Sequence, residues 1–532
     1  MIYDLATKVP KNFLVHDVVL VGGGTIALFL AIKLARNGIK TLVLESGGAN
    51  FELAAQELNK VTQSGRVHEG VTTARARVLG GTSNLWGGQL TKFVANDFKS
   101  REGIAEAAWP ICFEDLAPYY ESVAKELDLG EEIQPKSPLS GSLFPFGYPV
   151  FPEVELFFTR WLIEPNFANY FRDELESAEN LTIWLHSYVK NIDFDVEKSS
   201  VSSIEIVRPD GTNVKVLGKH FVLASGTVEI CRLLLASAKV NQAVPWNANP
   251  WLGVGFQDHL DIKAARLVVI DKKKFSETFQ NIIIKHRKYQ PKLRLRDNLD
   301  NNLSRLNVAC SFTFDSSLSE HLQYFKILVK SLLSGRLPKD FRGLIRHLRG
   351  VGSAWSPIVL QYLRHNRIYS PFERGIGVTL HCEQTPIAAS QITLHPTNVD
   401  CYGVPLVNLD WQIDGVSELQ AILNFISALK RDLEGLGIAR VEIDSTLAGD
   451  NAKALDAARD SYHQCSGARM GHHAGDGVVD RDLRVFGTNN LFIAGAAVFR
   501  TSSYANPTFT ALALSDRLAS YLTRDGGSKY AH

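Results

Sequence analysis

Apolar runs, glycine turns and helical stripes alternate from the first residues onward. Val18 to Val21 is an unbroken apolar run, the pattern of a strand covered on both faces. Gly22 to Gly24 interrupts it, Ile26, Leu30 and Leu34 then recur at helical spacing, and Thr41 to Leu44 is a second covered strand. The order strand, glycine turn, helix returns later: Phe221 to Ala224, the turn Ser225-Gly226, and a helix from Val228 to Leu235. It returns again as Leu491 to Ala494, Gly495-Ala496, and a helix opening at Pro507. Between these units the pattern is mostly of strands. Leu181 to Phe194 alternates and reads as one strand, and Ser200 to Val207 with Val214 to Leu217 reads as a hairpin across Pro209-Asp-Gly-Thr. Ala264 to Ile270, Leu306 to Phe314, Ile392 to Leu394 and Val404 to Trp411 are further strands, and Ser417 to Leu436 is a helix. Asn50 to Thr73 predicts a short helix and a loop. Tyr119, Val123 and Leu127 share one face of a helix that Pro118 is expected to open, and Gly130 to Pro152 reads as a crossing between domains. The fold class is α/β, with α+β character overall.

Composition narrows this picture modestly. A chain of 532 residues is too long for one core, so two packed domains are expected. A net charge of +1 with 21% charged residues gives no global reason to expect a nucleic acid or an anionic membrane as partner. The six cysteines are scattered without zinc, iron–sulfur or disulfide spacing, and read as reduced thiols of a cytoplasmic protein. The apolar stretch Phe13 to Ala35 contains His16 and Asp17 and no small-residue cleavage site, so it is not read as a signal peptide. One segment departs from the average: Leu322 to Arg367 carries nine Lys or Arg against a single acidic residue, with helical apolar spacing. It reads as the lid of a substrate cavity in preference to a helix lying on a membrane.

Chemistry enters at the turns. Gly22 permits the tight turn and Gly24 lets a pyrophosphate approach the helix start at Thr25 and Ile26. Ala27 is the third small position, where helix and strand pack, and Glu45 ends the second strand where a carboxylate would accept ribose hydroxyls. This is a dinucleotide fingerprint. Glu at position 45 argues against a 2′-phosphorylated ligand and leaves both FAD and NAD open. The loop Gly80 to Gly88, with Gly81, Ser83, Asn84, Leu85 and Trp86, is too rich in glycine for helix or strand and is expected to approach something closely; Arg77 before it suits a phosphate. His463, amid small polar residues, is a candidate general base, and Asn506 either caps the helix at Pro507 or bonds a substrate oxygen. That helix start, Pro507-Thr508, offers free N–H groups to a reduced flavin's negative charge. His472 and His473 lack partners at ligand spacing and no metal is expected.

Together these pieces resemble the glucose–methanol–choline (GMC) oxidoreductase family, which binds FAD. The resemblance runs through the opening fingerprint, the Gly80–Gly88 loop, Trp109-Pro110 to Tyr120, Phe221 to Ser237, Val254-Gly-Phe-Gln-Asp-His259, Glu383-Gln-Thr-Pro386 through Leu409-Asp-Trp411, and Tyr462 to Leu514. The branch it looks most like contains pyranose oxidases and sugar dehydrogenases. The resemblance implies a Rossmann-like FAD domain (1–150, 181–260 and 455–532) and a β-sheet substrate domain (151–180 and 261–454) with a helical insert at about 320–370. It implies His463 and Asn506 as the catalytic pair, and Val189, Ala224, Gly226, Gly495 and Ala496 among the FAD contacts. Relatives that hold flavin covalently use a histidine in the glycine loop; Leu85 stands there, which implies non-covalent FAD. Phe499-Arg-Thr-Ser-Ser-Tyr504 departs from the family's usual proline and glycine. The implied activity is oxidation of an alcohol, a secondary hydroxyl of a sugar, glycoside or polyol, with oxygen, a quinone or a protein as electron acceptor. A lyase on the same fold, an oxidase of a non-sugar alcohol and an NAD-dependent dehydrogenase are the alternatives.

Overall fold

The computed structural model describes residues 1–7, 15–101, 104, 107–144, 147–296, 306–318, 320, 321, 324, 361, 366–447 and 452–525. The basic stretch 322–367 lies outside these, apart from Tyr324, Gln361, Asn366 and Arg367. The apolar runs of the fingerprint form a six-stranded sheet in the order Ile2–Asp4, Leu181–Leu185, Thr41–Leu44, His16–Val21, Gly218–Leu223, Leu491–Ile493. Every neighbour is parallel, and Thr41–Leu44 is buried at each position, as strands covered on both faces must be. The helix Thr25–Arg36 packs on it through Leu28, Leu30 and Leu34. Chain order switches at His16–Val21: the chain passes first to Thr41–Leu44 on one side and later to Gly218–Leu223 on the other, so the turn Gly22–Gly24 opens at the switch point where ligands bind in such sheets.

The second large sheet is antiparallel: Ala439–Ile443, Leu260–Val269, Gly375–Cys382, Val308–Asp315, Arg287–Leu295, Val154–Trp161, Gln89–Leu90. Burial alternates strictly along Gly375–Cys382. Ile376, Val378, Leu380 and Cys382 join Ile422, Phe425 and Leu429 of the helix Val416–Gly435 in one core, while Thr379 and His381 look to the other side.

Three expectations are corrected and one strand is added. Leu181 to Phe194 is two strands, because His186 turns at φ 53: Leu181–Leu185 enters the parallel sheet, and Tyr188–Asp195 pairs with Ser200–Val207. The predicted loop after Asn50 contains a strand, Val61–Gln63, parallel to Pro405–Asp410. The first strand, Ile2–Asp4, was too short to show a pattern. The helix assigned to Pro118 starts at Phe113, where the Cys112 N–H donates to Asp115 Oδ2 at 3.0 Å. Pro118 sits inside it, early enough that one backbone hydrogen bond is forgone.

Candidate active site

The three glycine turns converge. Gly80 N–H donates to Gly23 O at 2.8 Å, pinning the second glycine loop onto the first turn. Gly81, at φ +54, lies so close to Gly24 that a Cβ there would come within 2.7 Å of its Cα. Gly226 (φ +86) and Gly495 (φ +124) are different: a Cβ on either would meet nothing within 4 Å, because both open onto a cavity of about 440 Å³. Its walls carry Gly22, Gly24, Thr25, Ile26, Glu45, Arg77, Gly81, Leu85, Trp86, Ala224, Gly226, Gly495, Ala496, Asn506, Pro507, Thr508 and His463, drawn from both ends of the chain.

Other residues singled out from the sequence stand behind that wall. Ala27 is wholly buried in the core. Ser83 Oγ donates to Gly80 O at 2.6 Å and accepts from Phe167 N at 3.0 Å, and Asn84 donates to Leu79 O and Gly81 O; both shape the loop from within. Gly88 turns against Leu162 and Pro165, and Val189 packs on the core. Arg77 reaches the cavity, but its guanidinium is held by Glu229 (2.8 Å), Asn59 (2.9 Å), Ser46 (3.0 Å) and Leu58 O (3.2 Å). Glu45 is buried and accepts from Gly23 N–H at 2.7 Å and Gly47 N–H at 2.8 Å, while burial pushes its carboxyl upward.

At one end of the cavity His463 and Asn506 meet. Asn506 Nδ2 donates to His463 Nε2 at 2.9 Å, so the carboxamide faces the imidazole instead of capping its own helix. Loss of hydration, then the neighbouring His259, pushes the half-buried His463 down to about 3. Three neighbours that the residue-level reading passed over hold it: Ser461 Oγ at 2.8 Å, His259 Nδ1 at 3.2 Å, and Asp258, whose carboxylate accepts the His463 N–H at 2.9 Å. Asp258 and His259 lay in a stretch marked only by the family resemblance, and Ser461 two residues from His463 gave no pattern of its own. Behind them His68, Asp258 and Asp460 bring metal-ligating atoms within 4.8 Å of one another. Those atoms are engaged already: His68 Nε2 donates to Asp258 (3.0 Å), His68 Nδ1 accepts from Val71 N–H (3.0 Å), and Asp460 accepts from Glu69 and Gly70. His472 and His473 are exposed.

The antiparallel sheet carries a polar face near the pair, and the fields of its Asp261 and His381 reach His463. On Arg287–Leu295, Gln290 Oε1 accepts from the cavity residue Gln89 at 3.1 Å, and Arg294 Nη1 donates to Tyr504 Oη at 2.9 Å, two residues before Asn506. Lys292 alternates with both on the same face. It is 7% exposed, has no hydrogen bond or ion pair among the described residues, and burial lowers it to about 8. Nearby, His381 Nδ1 lies 2.7 Å from Asp261, whose field reaches both Lys292 and His463. Arg500, in the segment that departs from the family pattern, points the other way, to Asp476 at 3.0 and 3.1 Å.

Residues 386–515 match the family model described as GMC oxidoreductase. That segment is a GMC oxidoreductase domain. The chain is 20% identical to the fructose dehydrogenase large subunit of Gluconobacter japonicus over 96% of this chain and 98% of that one. It is 29% identical to paromamine 6'-oxidase of Streptomyces fradiae over 22% of this chain and 24% of that one. Pyridoxine 4-oxidase from Mesorbium loti shares its fold at TM-score 0.57 and 16% identity, covering 95% of this chain and 99% of the other. GMC oxidoreductases bind FAD and act on alcohol groups. The cavity suits that cofactor. The helix Thr25–Arg36 starts at Gly24 without a side-chain cap, leaving N–H groups for a pyrophosphate. Ser225 Oγ is buried on the wall with no hydrogen-bond partner among the described residues, and Leu85 is 49% exposed there, as a residue covered by a cofactor would be. Among the described residues no helix is long and apolar enough to cross a membrane, and the six cysteines are free thiols.

Proposed function

We propose that the chain, as a GMC oxidoreductase, oxidises a secondary hydroxyl of a sugar, glycoside or polyol to a carbonyl, with FAD held non-covalently. The observation that carries the chemistry is the 2.9 Å contact of Asn506 with His463 Nε2 at the end of the glycine-lined cavity. FAD, when bound, supplies the acceptor for the hydride that leaves the carbinol carbon. His463 Nε2 takes the hydroxyl proton. Nε2 has one lone pair, so the incoming O–H replaces the Asn506 amide there, and that amide turns its N–H to the substrate oxygen. Thr25, Ile26, Glu45, Gly226 and the helix start at Pro507 hold the cofactor, and Leu85 offers no atom to attach it covalently.

The polyol assignment is supported by the polar face of the antiparallel sheet near His463. An ammonium that only donates, at Lys292, and a carboxylate that only accepts, at Asp261, complement hydroxyls, which do both. An aliphatic or aryl alcohol would leave the buried ammonium without compensation. General base catalysis is worth on the order of 100- to 10,000-fold. His463→Ala therefore slows anaerobic flavin reduction by about that factor while FAD stays bound, and a variant reducing flavin at the parent rate overturns the assignment.

A further inference from the structure

We propose that Ser461 is a positioning residue that fixes which nitrogen of His463 is the base, drawing on the charge of Asp258. The inference rests on His463 being the proton acceptor. His463 Nδ1 faces Ser461 Oγ at 2.8 Å and His259 Nδ1 at 3.2 Å, and the proton state of each contact follows from its next neighbour. Ser461 Oγ donates its own proton to Asp258 Oδ1 at 3.0 Å, which leaves only lone pairs for His463. His259 Nε2 lies 3.0 Å from the Ser502 carbonyl oxygen, an atom that can only accept. His259 therefore carries its proton on Nε2 and turns a lone pair to His463; burial lowers its proton affinity and keeps it neutral.

Both neighbours of His463 Nδ1 are thus acceptors. The single proton of the neutral ring belongs on Nδ1, and Nε2 is left bare toward Asn506 and the cavity. When Nε2 takes the substrate proton, the Nδ1–H stays bonded to Ser461, whose own O–H ends on a carboxylate. Burial works against that carboxylate, but the hydrogen bond from His68 helps to hold it ionised, at about 2. Asp258 also receives the backbone N–H of His259 at 2.6 Å and of His463, so the anion and the ring it serves, from two distant stretches of chain, are fixed to one another. The titratable groups whose fields reach His463 are His259, Asp258, Asp261 and His381. Of the bonds to its Nδ1, Ser461 makes the shorter, and it is the one that links the ring to a charge.

The test is anaerobic stopped-flow flavin reduction by the FAD-loaded protein, with Ser461→Ala, Ser461→Thr and His463→Ala measured beside the parent. Ser461→Ala is expected to slow the reduction step on the order of 10- to 100-fold. Its half-saturating substrate concentration stays within about twofold, and its rate now climbs with pH as hydroxide replaces the weakened base. Ser461→Thr, which keeps the hydroxyl, recovers most of the rate. Should Ser461→Ala lose its FAD, Ser461→Cys, near in shape and a weaker hydrogen-bonding group, replaces it with the same expectation. A parent-like rate and pH profile in Ser461→Ala, or equal slowing in Ser461→Thr, overturns the role of Ser461. A parent-like rate in His463→Ala instead overturns the reading on which it rests.

Discussion

Burial lowers the proton affinity of two side chains at this site, with different consequences for each. His463 stands at about 3, against roughly 6.5 for a free imidazole. Between those values the unfolded chain binds a proton that the folded chain refuses, so stability falls as pH drops through that window and is unaffected above it. For catalysis the same shift keeps the base unprotonated. The flavin-reduction rate is expected to hold level from about pH 7 to pH 5, with no acid limb near 6.5; such a limb, read in anaerobic stopped-flow across that range, would contradict the assignment. Lys292 stands at about 8, against roughly 10.4 when unfolded. Below pH 8 it is charged in both states, and the folded protein bears the cost of an ammonium without a close partner. A charge kept at that cost is expected to serve binding. Lys292→Met should raise the melting temperature, since removing such a charge is worth about 1 kcal/mol or more. It should also raise KM for a polyol about tenfold with little change in kcat, the loss of one charged hydrogen bond. A variant with unchanged KM would remove Lys292 from the substrate wall.

At the scale of elements, two glycine turns share one contact. Gly81 combines a left-handed φ with a Cβ position 2.7 Å from Gly24, so Gly81→Ala should cost about 1–3 kcal/mol and shift the turn that faces the cofactor. Lower thermal stability and a reduced flavin-to-protein absorbance ratio after gel filtration are expected; an unaltered ratio would mean the two turns do not act together. The fingerprint was legible because its strands are buried on both faces, which leaves an apolar run with clear ends. Leu181 to Phe194 misled for the converse reason: the alternation runs on through a turn at His186, where a histidine takes the positive φ that a glycine would have signalled. Gly88 was legible as a special residue but not in its purpose, since what it approaches is Leu162 and Pro165, far along the chain. Asn506 was ambiguous between cap and ligand until His463 was found beside it.

Over the whole molecule, long-range polar contacts hold the loop before Asn506 in place. Arg101 and Glu383 form a buried ion pair at 2.5 and 2.7 Å, and Glu383 also accepts from Asn307 N at 2.8 Å and Ser503 N at 3.3 Å. Gln384 N donates to Ser502 Oγ at 3.1 Å, and Gln257 Oε1 accepts from Ser502 N at 3.1 Å. Two distant stretches therefore fix Ser502 and Ser503 ahead of Asn506, and Arg101 and Asn307 brace one of them. None of this was readable residue by residue, because partners 282 positions apart share no periodicity. Arg101→Met leaves Glu383 buried without its counter-charge and is expected to cost about 3–5 kcal/mol, read as a lower denaturant midpoint; a midpoint unchanged from the parent would mean the pair is not a structural tie.

In the proposed reaction His463 takes a proton from a polyol hydroxyl beside bound flavin. The most direct measurement is anaerobic mixing of the yellow protein, parent and His463→Ala, with a panel of sugars, glycosides and simple alcohols, following loss of flavin absorbance. The parent is expected to bleach with a polyol, and His463→Ala, still yellow, to bleach about 100- to 10,000-fold more slowly with the same compound. Bleaching of both at one rate, or a parent that bleaches only with alcohols bearing a single hydroxyl, would contradict the proposed reaction.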